Sequence, residues 1–284
     1  MNASPPAERR ARIPAEEARR RILEAGLRAF RETGLTVGIG GVGFEDVIKA
    51  ADVSRTAAYR AWKDRDAFLA DLYLAVVEEA SQTQHVFSSG ASGSLAAAVA
   101  ASADLLATAD GRRALLVEIC RVGASRNFTD LHASAGFQTV LGIVASLGSV
   151  EPEHRDLAEA ILARTEVAFV ERLSTFYRDV AAVFGCRPRP GITFDDIAVI
   201  GGSFIQGTAL EARMLPDVLV DVRLDLDPFD TGWARAWTLP ALGFTSFFLG
   251  AMEMLPDGER PDPAVIERFV ATYGASDASP SEPS

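Results

Sequence analysis

The chain has 284 residues, 48% hydrophobic and 24% charged, with a net charge of −11. That is the composition of a globular protein able to bury an ordinary core, and it excludes a fibrous or low-complexity chain. The longest apolar run, LPALGFTSFFLGAMEML, is too short to cross a bilayer, is interrupted by Pro240 and reads as a buried helix, so no membrane is expected among the partners.

Charge is unevenly spread. The first 70 residues hold 13 Lys and Arg against 10 Asp and Glu, whereas the remaining 214 hold 15 against 29. A mildly basic head on an acidic body suits a polyanion only at the head. Residues 1–14 are rich in Pro, Ala and Arg and are expected to be a disordered basic arm, with Arg9, Arg10 and Arg12 placed to reach a minor groove. The arm has no apolar core and so is not a secretory signal. From Ala15 to Thr33, Ile22, Gly26, Ala29 and Phe30 recur at helical spacing, and Gly34 is the expected stop.

Gly38–Gly43, GIGGVG, fits the glycine fingerprint of a dinucleotide-binding loop. That fingerprint works only between a buried strand and a helix that aims its amides at the pyrophosphate. Here a helix precedes it and no alternation of strand and helix follows, so the loop is expected to be a connector, and no cofactor is expected. Gly43 would leave the first amides of the next helix open to a DNA phosphate.

Phe44, Val47, Ile48 and Ala51 then mark a short amphipathic helix. AADVS makes a tight turn, Ser54 caps a third helix reaching about Trp62, and Asp64 caps a fourth from Arg65 to about Ser81. On the third helix Ala58, Ala61 and Trp62 share one face, while Arg55, Thr56, Tyr59 and Arg60 make a polar face without carboxylates. Lys63 and Arg65 follow at the start of the fourth.

These segments, RRRILEAGLRAFRETG, VIKAADVSRTAAYRAW and KDRDAFLADL, together resemble the TetR family of bacterial transcriptional regulators over about residues 16–75. The resemblance implies a homodimer with an N-terminal helix-turn-helix DNA-binding domain and a larger helical domain for ligand and dimer contacts. Carried over by position, Ser54, Arg55, Thr56 and Ala57 would enter the major groove, with Arg55 as base reader. Tyr59, Arg60, Lys63 and Arg65, with Gly43 and Phe44 at the start of the second helix, complete the implied DNA-binding set. The loop before the second helix is longer than is usual in the family, and Ala57 and Ala58 replace larger residues.

Downstream the pattern stays helical: 94–109, 112–125, 128–147, 151–184, 194–215, 233–255 and 263–273, with no convincing strands. The expected organisation is all-α: arm 1–14, helix-turn-helix domain 15–80, helical domain 81–273, disordered tail 274–284. Two segments carry small residues inside helical patterns, Gly202, Ser203 and Gly207 in one and Gly243, Ser246 and Gly250 in the other. They are candidates for a dimer interface. Phe128, Phe137, Phe169, Phe176, Phe204 and Trp233, with Arg164 and Gln206 as polar anchors, are candidate lining for a pocket that takes a small apolar effector.

Rival readings are weaker. GGSFI at Ser203 lacks the last glycine of a hydrolase elbow, and His85, His132 and His154 lack metal-ligand spacing. Asp225, Asp227 and Asp230 lack the glycine and glutamate of a calcium loop. Cys120 and Cys186 stand far apart, as structural thiols of a reducing cytoplasm do. The sequence therefore points to a cytoplasmic, non-enzymatic regulator, a repressor released from operator duplex by a small molecule. A helical protein-binding adaptor, or an enzyme without operator recognition, is the alternative.

Overall fold

Proline falls mostly at joints or first turns, while glycine also occurs inside helices, as at Gly26, Gly123, Gly201 and Gly243, where it costs about 1 kcal/mol against alanine. The computed structural model describes residues 13–37, 41–83, 89–255 and 262–274, and it is mostly helical. The expected arginine arm, the first three residues of the glycine loop and the tail from 275 lie outside the described residues. The chain divides into two compact units, 1–82 with 138–162, and 83–137 with 163–284. A single boundary at residue 80 does not capture the return of 138–162 to the first unit. Among the described residues no single helix is long and apolar enough to cross a membrane.

In the first unit, α1 (Ala15–Val37), α2 (Phe44–Ala50), α3 (Arg55–Ala61) and α4 (Arg65–Thr83) follow in order. Parts of α7 (Ala135–Ser146) and α8 (Pro152–Phe184) complete it. The helical stripe of α1 delivers Ala18, Ile22, Ala25 and Phe30 to the core, which also holds Val140, Ile143 and Ala158. Gly26 makes the close approach of α4 possible, since a β-carbon there would lie 3.0 Å from Leu72 and 3.2 Å from Phe68. Gly34 does not stop α1, which runs on to Val37; glycine tolerates helical backbone at a cost of about 1 kcal/mol against alanine. The α2–α3 turn is closed by Asp52 in the left-handed region, φ 51°, with Val53 N–H donating to Ile48 O at 3.4 Å.

In the second unit, α6 (Ala109–Ala133) is packed by α5 (Ser89–Ala101), α9 (Phe194–Glu211) and α11 (Leu239–Ala251), while α12 (Pro263–Gly274) lies against α5. α6 does not break near Phe128 as expected. Thr129 Oγ1 donates to Ser125 O inside the helix, Phe128 and Leu131 are buried, and the break comes at Ser134, whose Oγ accepts from Phe137 N at 3.1 Å. α9 ends at Glu211 rather than 215, and a short turn, α10 (Pro216–Leu219), follows, its leading proline lacking an N–H to continue a helix.

The segment 233–255 is not one helix. β3 (Arg235–Trp237) pairs with β2 (Leu224–Leu226), Thr238 caps α11, and β4 (Met252–Met254) pairs with β1 (Cys186–Pro188), both ladders antiparallel. Pro240 in the first turn of α11 marks a helix start. The β2–β3 hairpin is tied to α6 by guanidinium bonds, from Arg113 to Phe229 O and from Arg121 to Ala236 O at 2.9 Å.

Candidate nucleic-acid interface and ligand cleft

The face expected to meet DNA is built on a small aromatic core. Phe44 stacks on Phe68 at 4.6 Å between centroids, and Trp62 meets both rings edge-on at 6.1 and 5.4 Å. Trp62 Nε1 donates to Asp71 Oδ2 at 2.6 Å, and Arg19 binds the same oxygen. α3 is thereby fixed on one side. Ser54 Oγ accepts from Ala57 N at 3.3 Å to cap α3, and Asp64 Oδ1 accepts from Ala67 N at 2.8 Å to cap α4.

On the outer side, Ser54, Arg55, Thr56, Tyr59 and Arg60 are exposed, followed by Lys63 and Arg65. Ala57 is half-buried. Offsets of one, four and five residues from Arg55 keep the four long side chains of α3 within one helical face. The structure brings these side chains together on one exposed face of α3 and the start of α4.

Three findings differ from expectation. Phe44 is 3% exposed and belongs to the core, so it cannot contact DNA itself. Gly43 is the N-cap of α2, but Glu45 and Asp46 fill the first turn, and Asp46 Oδ2 lies 2.5 Å from where a Gly43 β-carbon would sit. Carboxylates there oppose a phosphate electrostatically, although no side chain caps the first amides of α2. Lastly, the cationic face is not carboxylate-free. Glu45 reaches across from α2, accepting from Arg55 Nε at 2.8 Å and from Tyr59 OH at 3.0 Å. The bond to Glu45 holds the Tyr59 hydroxyl protonated above its ordinary range. Sequence reasoning missed Glu45 because its partners lie ten and fourteen residues away, across the turn.

The second unit contains a cleft whose lining is almost wholly apolar. Phe176 and Tyr177 of α8 and Phe244 and Phe248 of α11 form an aromatic wall, with Tyr177 edge-on to Phe248 at 5.5 Å. Ile119, Cys120, Gly123 and Asn127 of α6 form the floor. It encloses about 560 Å³ of atom-free space, solvent at its mouth included.

Of the expected ligand residues, Phe176 alone is on this lining. Phe128 is buried and stacked on His132 at 5.9 Å, and Phe137 and Phe169 are also core. Arg164 points outward on α8, Gln206 is half-buried on α9, and Trp233 lies under the Arg235 guanidinium at 5.6 Å. Aromatic content identified the neighbourhood; Phe169 and Phe176 share one face of α8, and position along the helix decides that Phe176 meets the recess.

The small-residue segments divide as well. A β-carbon on Gly243 would meet the Phe204 ring, and one on Gly201 would lie 2.9 Å from Phe244, so α9 and α11 approach closely within one chain. Gly202 likewise faces Phe169 at 3.8 Å. Gly202 and Gly243, with Phe204, are therefore accounted for by internal packing. Ser203, Gly207, Ser246 and Gly250 stay exposed, and Ser203 and Gly207 continue a stripe with exposed Val199, Leu210 and Met214.

No family model matches the chain. No curated protein matches it either. Among solved structures it is similar to Escherichia coli NemR in its reduced form, with 12% identity and a TM-score of 0.43 over 84% of this chain and all of that one. At that score the two need share no more than a largely helical build.

Both cysteines are buried free thiols. Burial pushes the Cys186 thiol up to about 12 and raises Cys120 as well, with Cys186 nearby adding to the latter. An unfolded thiol titrates near about 8.5, so above that pH the unfolded chain holds fewer protons than the folded one and stability falls as pH rises toward the folded values. The urea midpoint of the wild type is therefore expected to drop between pH 7.5 and 9.5 more steeply than that of a Cys120→Ala/Cys186→Ala variant. Equal slopes would show that the thiols do not carry the effect.

Proposed function

We propose that the chain is a dimeric, DNA-binding transcriptional regulator of the TetR type, without catalytic activity, whose second unit takes a small molecule. The observation that carries the reading is the α2–turn–α3 arrangement. One side of α3 is locked by Phe44, Trp62 and Phe68, and the other offers Arg55, Thr56, Tyr59 and Arg60 together. Such a helix suits the major groove, with Lys63 and Arg65 as backbone contacts that act on all sequences alike. Repression is the mode that the resemblance implies.

The stripe along α9, in which the small residues Ser203 and Gly207 lie between exposed Val199 and Leu210, supports a second copy as partner, since small residues let two helices approach closely. Ligand control then follows as linkage: a small molecule favouring one spacing of the two recognition helices changes DNA affinity by its coupling energy, typically about 1–3 kcal/mol.

The engagement of Arg55 by Glu45 favours a second reading, a protein-binding adaptor in which α3 no longer reads DNA. Fluorescence anisotropy separates them, using duplexes from the DNA flanking the chain's own gene, a salt series and scrambled competitor. Salt-sensitive binding that survives the competitor supports the regulator. Binding removed equally by scrambled DNA, or none at all, supports the adaptor.

A further inference from the structure

Gly123 lies in the interior of α6, where glycine is destabilising relative to alanine and calls for a compensating reason. At Gly201 and Gly243 the reason is a phenylalanine ring packed against the bare backbone. At Gly123 there is none: among the described residues no atom beyond its own stretch of helix lies within 4 Å of where a β-carbon would sit. The empty space is the cleft itself. Gly123 is on the lining of the aromatic recess and also on that of an adjoining one, and the two share Leu95 and Ile119 as well.

The lining also speaks to charge. Among the described residues no Asp, Glu, Lys, Arg or His lines the aromatic recess; Asn127, the Tyr177 hydroxyl and the Cys120 thiol are its polar groups. Burial keeps Tyr177 protonated well above its ordinary range, so it offers a neutral hydroxyl. An ion placed there would lose its hydration without a counter-charge, which is strongly unfavourable. The charges next door are already engaged: Glu118 accepts two bonds from Arg121, at 2.7 and 2.8 Å, and Arg126 lies 3.9 Å from Asp130.

We infer that the cleft floored by Gly123 binds an uncharged, mainly apolar ring compound, with the aromatic wall against its faces and Asn127 or Tyr177 meeting its one polar group, and that the missing side chain at Gly123 admits it. The inference deepens the regulator reading and takes its biological meaning from it. The test contains no DNA, so failure of the cleft and failure of operator recognition are separate results.

The probes are N-phenylnaphthylamine, which is neutral and brightens in apolar surroundings, and anilinonaphthalene sulfonate, the same skeleton carrying an anion. The full-length chain is expected to bind the neutral probe saturably, one per chain, at least tenfold more tightly than the sulfonate. Gly123→Leu is expected to weaken the neutral probe at least tenfold. Gly123→Ala is expected to weaken it several-fold while keeping or raising the thermal midpoint, and it decides the matter should the leucine variant fail to fold. Equal affinity for the two probes would overturn the inference, as would unchanged binding by the folded Gly123 variants or no saturable binding by the wild type.

Discussion

Replacing Phe44 with alanine is expected to destabilise the N-terminal unit by about 3–5 kcal/mol, the range for deleting a buried aromatic ring. Phe44 has an unusual number of ring partners for a residue at the first position of a helix. It stacks on Phe68 at 4.6 Å, meets Trp62 edge-on at 6.1 Å and touches Tyr59 at 5.5 Å, with 3% of its surface exposed. These rings join α2, α3 and α4, so the cavity cannot be closed by moving one helix without displacing another. Oriented aromatic pairs add roughly 0.5–1.5 kcal/mol each beyond area burial. Phe44→Leu keeps most of the volume and is expected to cost about half as much, chiefly through the lost ring pairs.

Because two compact units need not unfold together, hydrogen exchange resolved by peptide is the measurement to make, not a single melting curve. Amides of α1, α3 and α4 should lose protection in Phe44→Ala, while those of α9 and α11 keep theirs. A loss within about 0.5 kcal/mol, the range of surface substitutions, would mean that Phe44 is not the keystone its contacts indicate.

How much of this was legible beforehand depends on the range of the interactions. The bounds of α2, α3 and α4 were readable because their signals are local: Ser54 and Asp64 as caps, Val47 and Ile48 as the buried stripe. Each cap acts within one turn of helix, and the structure places both caps so, whereas Trp62 packs on Phe44, eighteen residues upstream. The all-α character was readable for the same reason. What the sequence hid is pairing across distance. β1 and β4 are three residues each and lie more than sixty residues apart, too short for a period-two pattern to emerge. Glu45 looks like an ordinary solvent-facing carboxylate until α3 brings Arg55 and Tyr59 to it.

The cleft was hidden differently. Phe128, Phe169 and Phe176 are equally apolar in sequence and all three are buried; Phe169 and Phe176 share one face of α8, seven residues apart, so it is the placing of neighbouring helices along α8 that puts Phe176 on the recess lining. Gly123 carried a signal that was overlooked. A glycine inside CRVGASRN is as anomalous for a helix as Gly201 or Gly243, and what separates them is whether a ring fills the gap.

Under the regulator reading, Arg55→Ala is expected to weaken operator binding roughly 5- to 150-fold, corresponding to about 1–3 kcal/mol for one bidentate base contact. Folding should hardly change, because Arg55 is 75% exposed and its partner Glu45 46% exposed, and such exposed pairs contribute about 1 kcal/mol at most. Glu45→Gln works in the other direction. In the free protein the carboxylate engages Arg55 at 2.8 Å and Tyr59 at 3.0 Å, and a base or phosphate must displace it. Glutamine keeps an acceptor for Tyr59 and removes the charge, so affinity for duplex should rise by up to about fivefold, matching the strength of an exposed ion pair.

Specificity should move oppositely to affinity. With the carboxylate gone, Arg55 is freer to bind any phosphate, so scrambled duplex should gain more than operator. A double-mutant cycle isolates the coupling. If Glu45 acts by competing for Arg55, the gain from Glu45→Gln should largely vanish on the Arg55→Ala background. If it survives there in full, Glu45 acts only by repelling the DNA backbone at a distance, and its effect should then shrink with added salt. Equal losses on operator and scrambled duplex in Arg55→Ala would reassign Arg55 from base reader to phosphate contact, and an unchanged affinity on both would remove α3 from the interface.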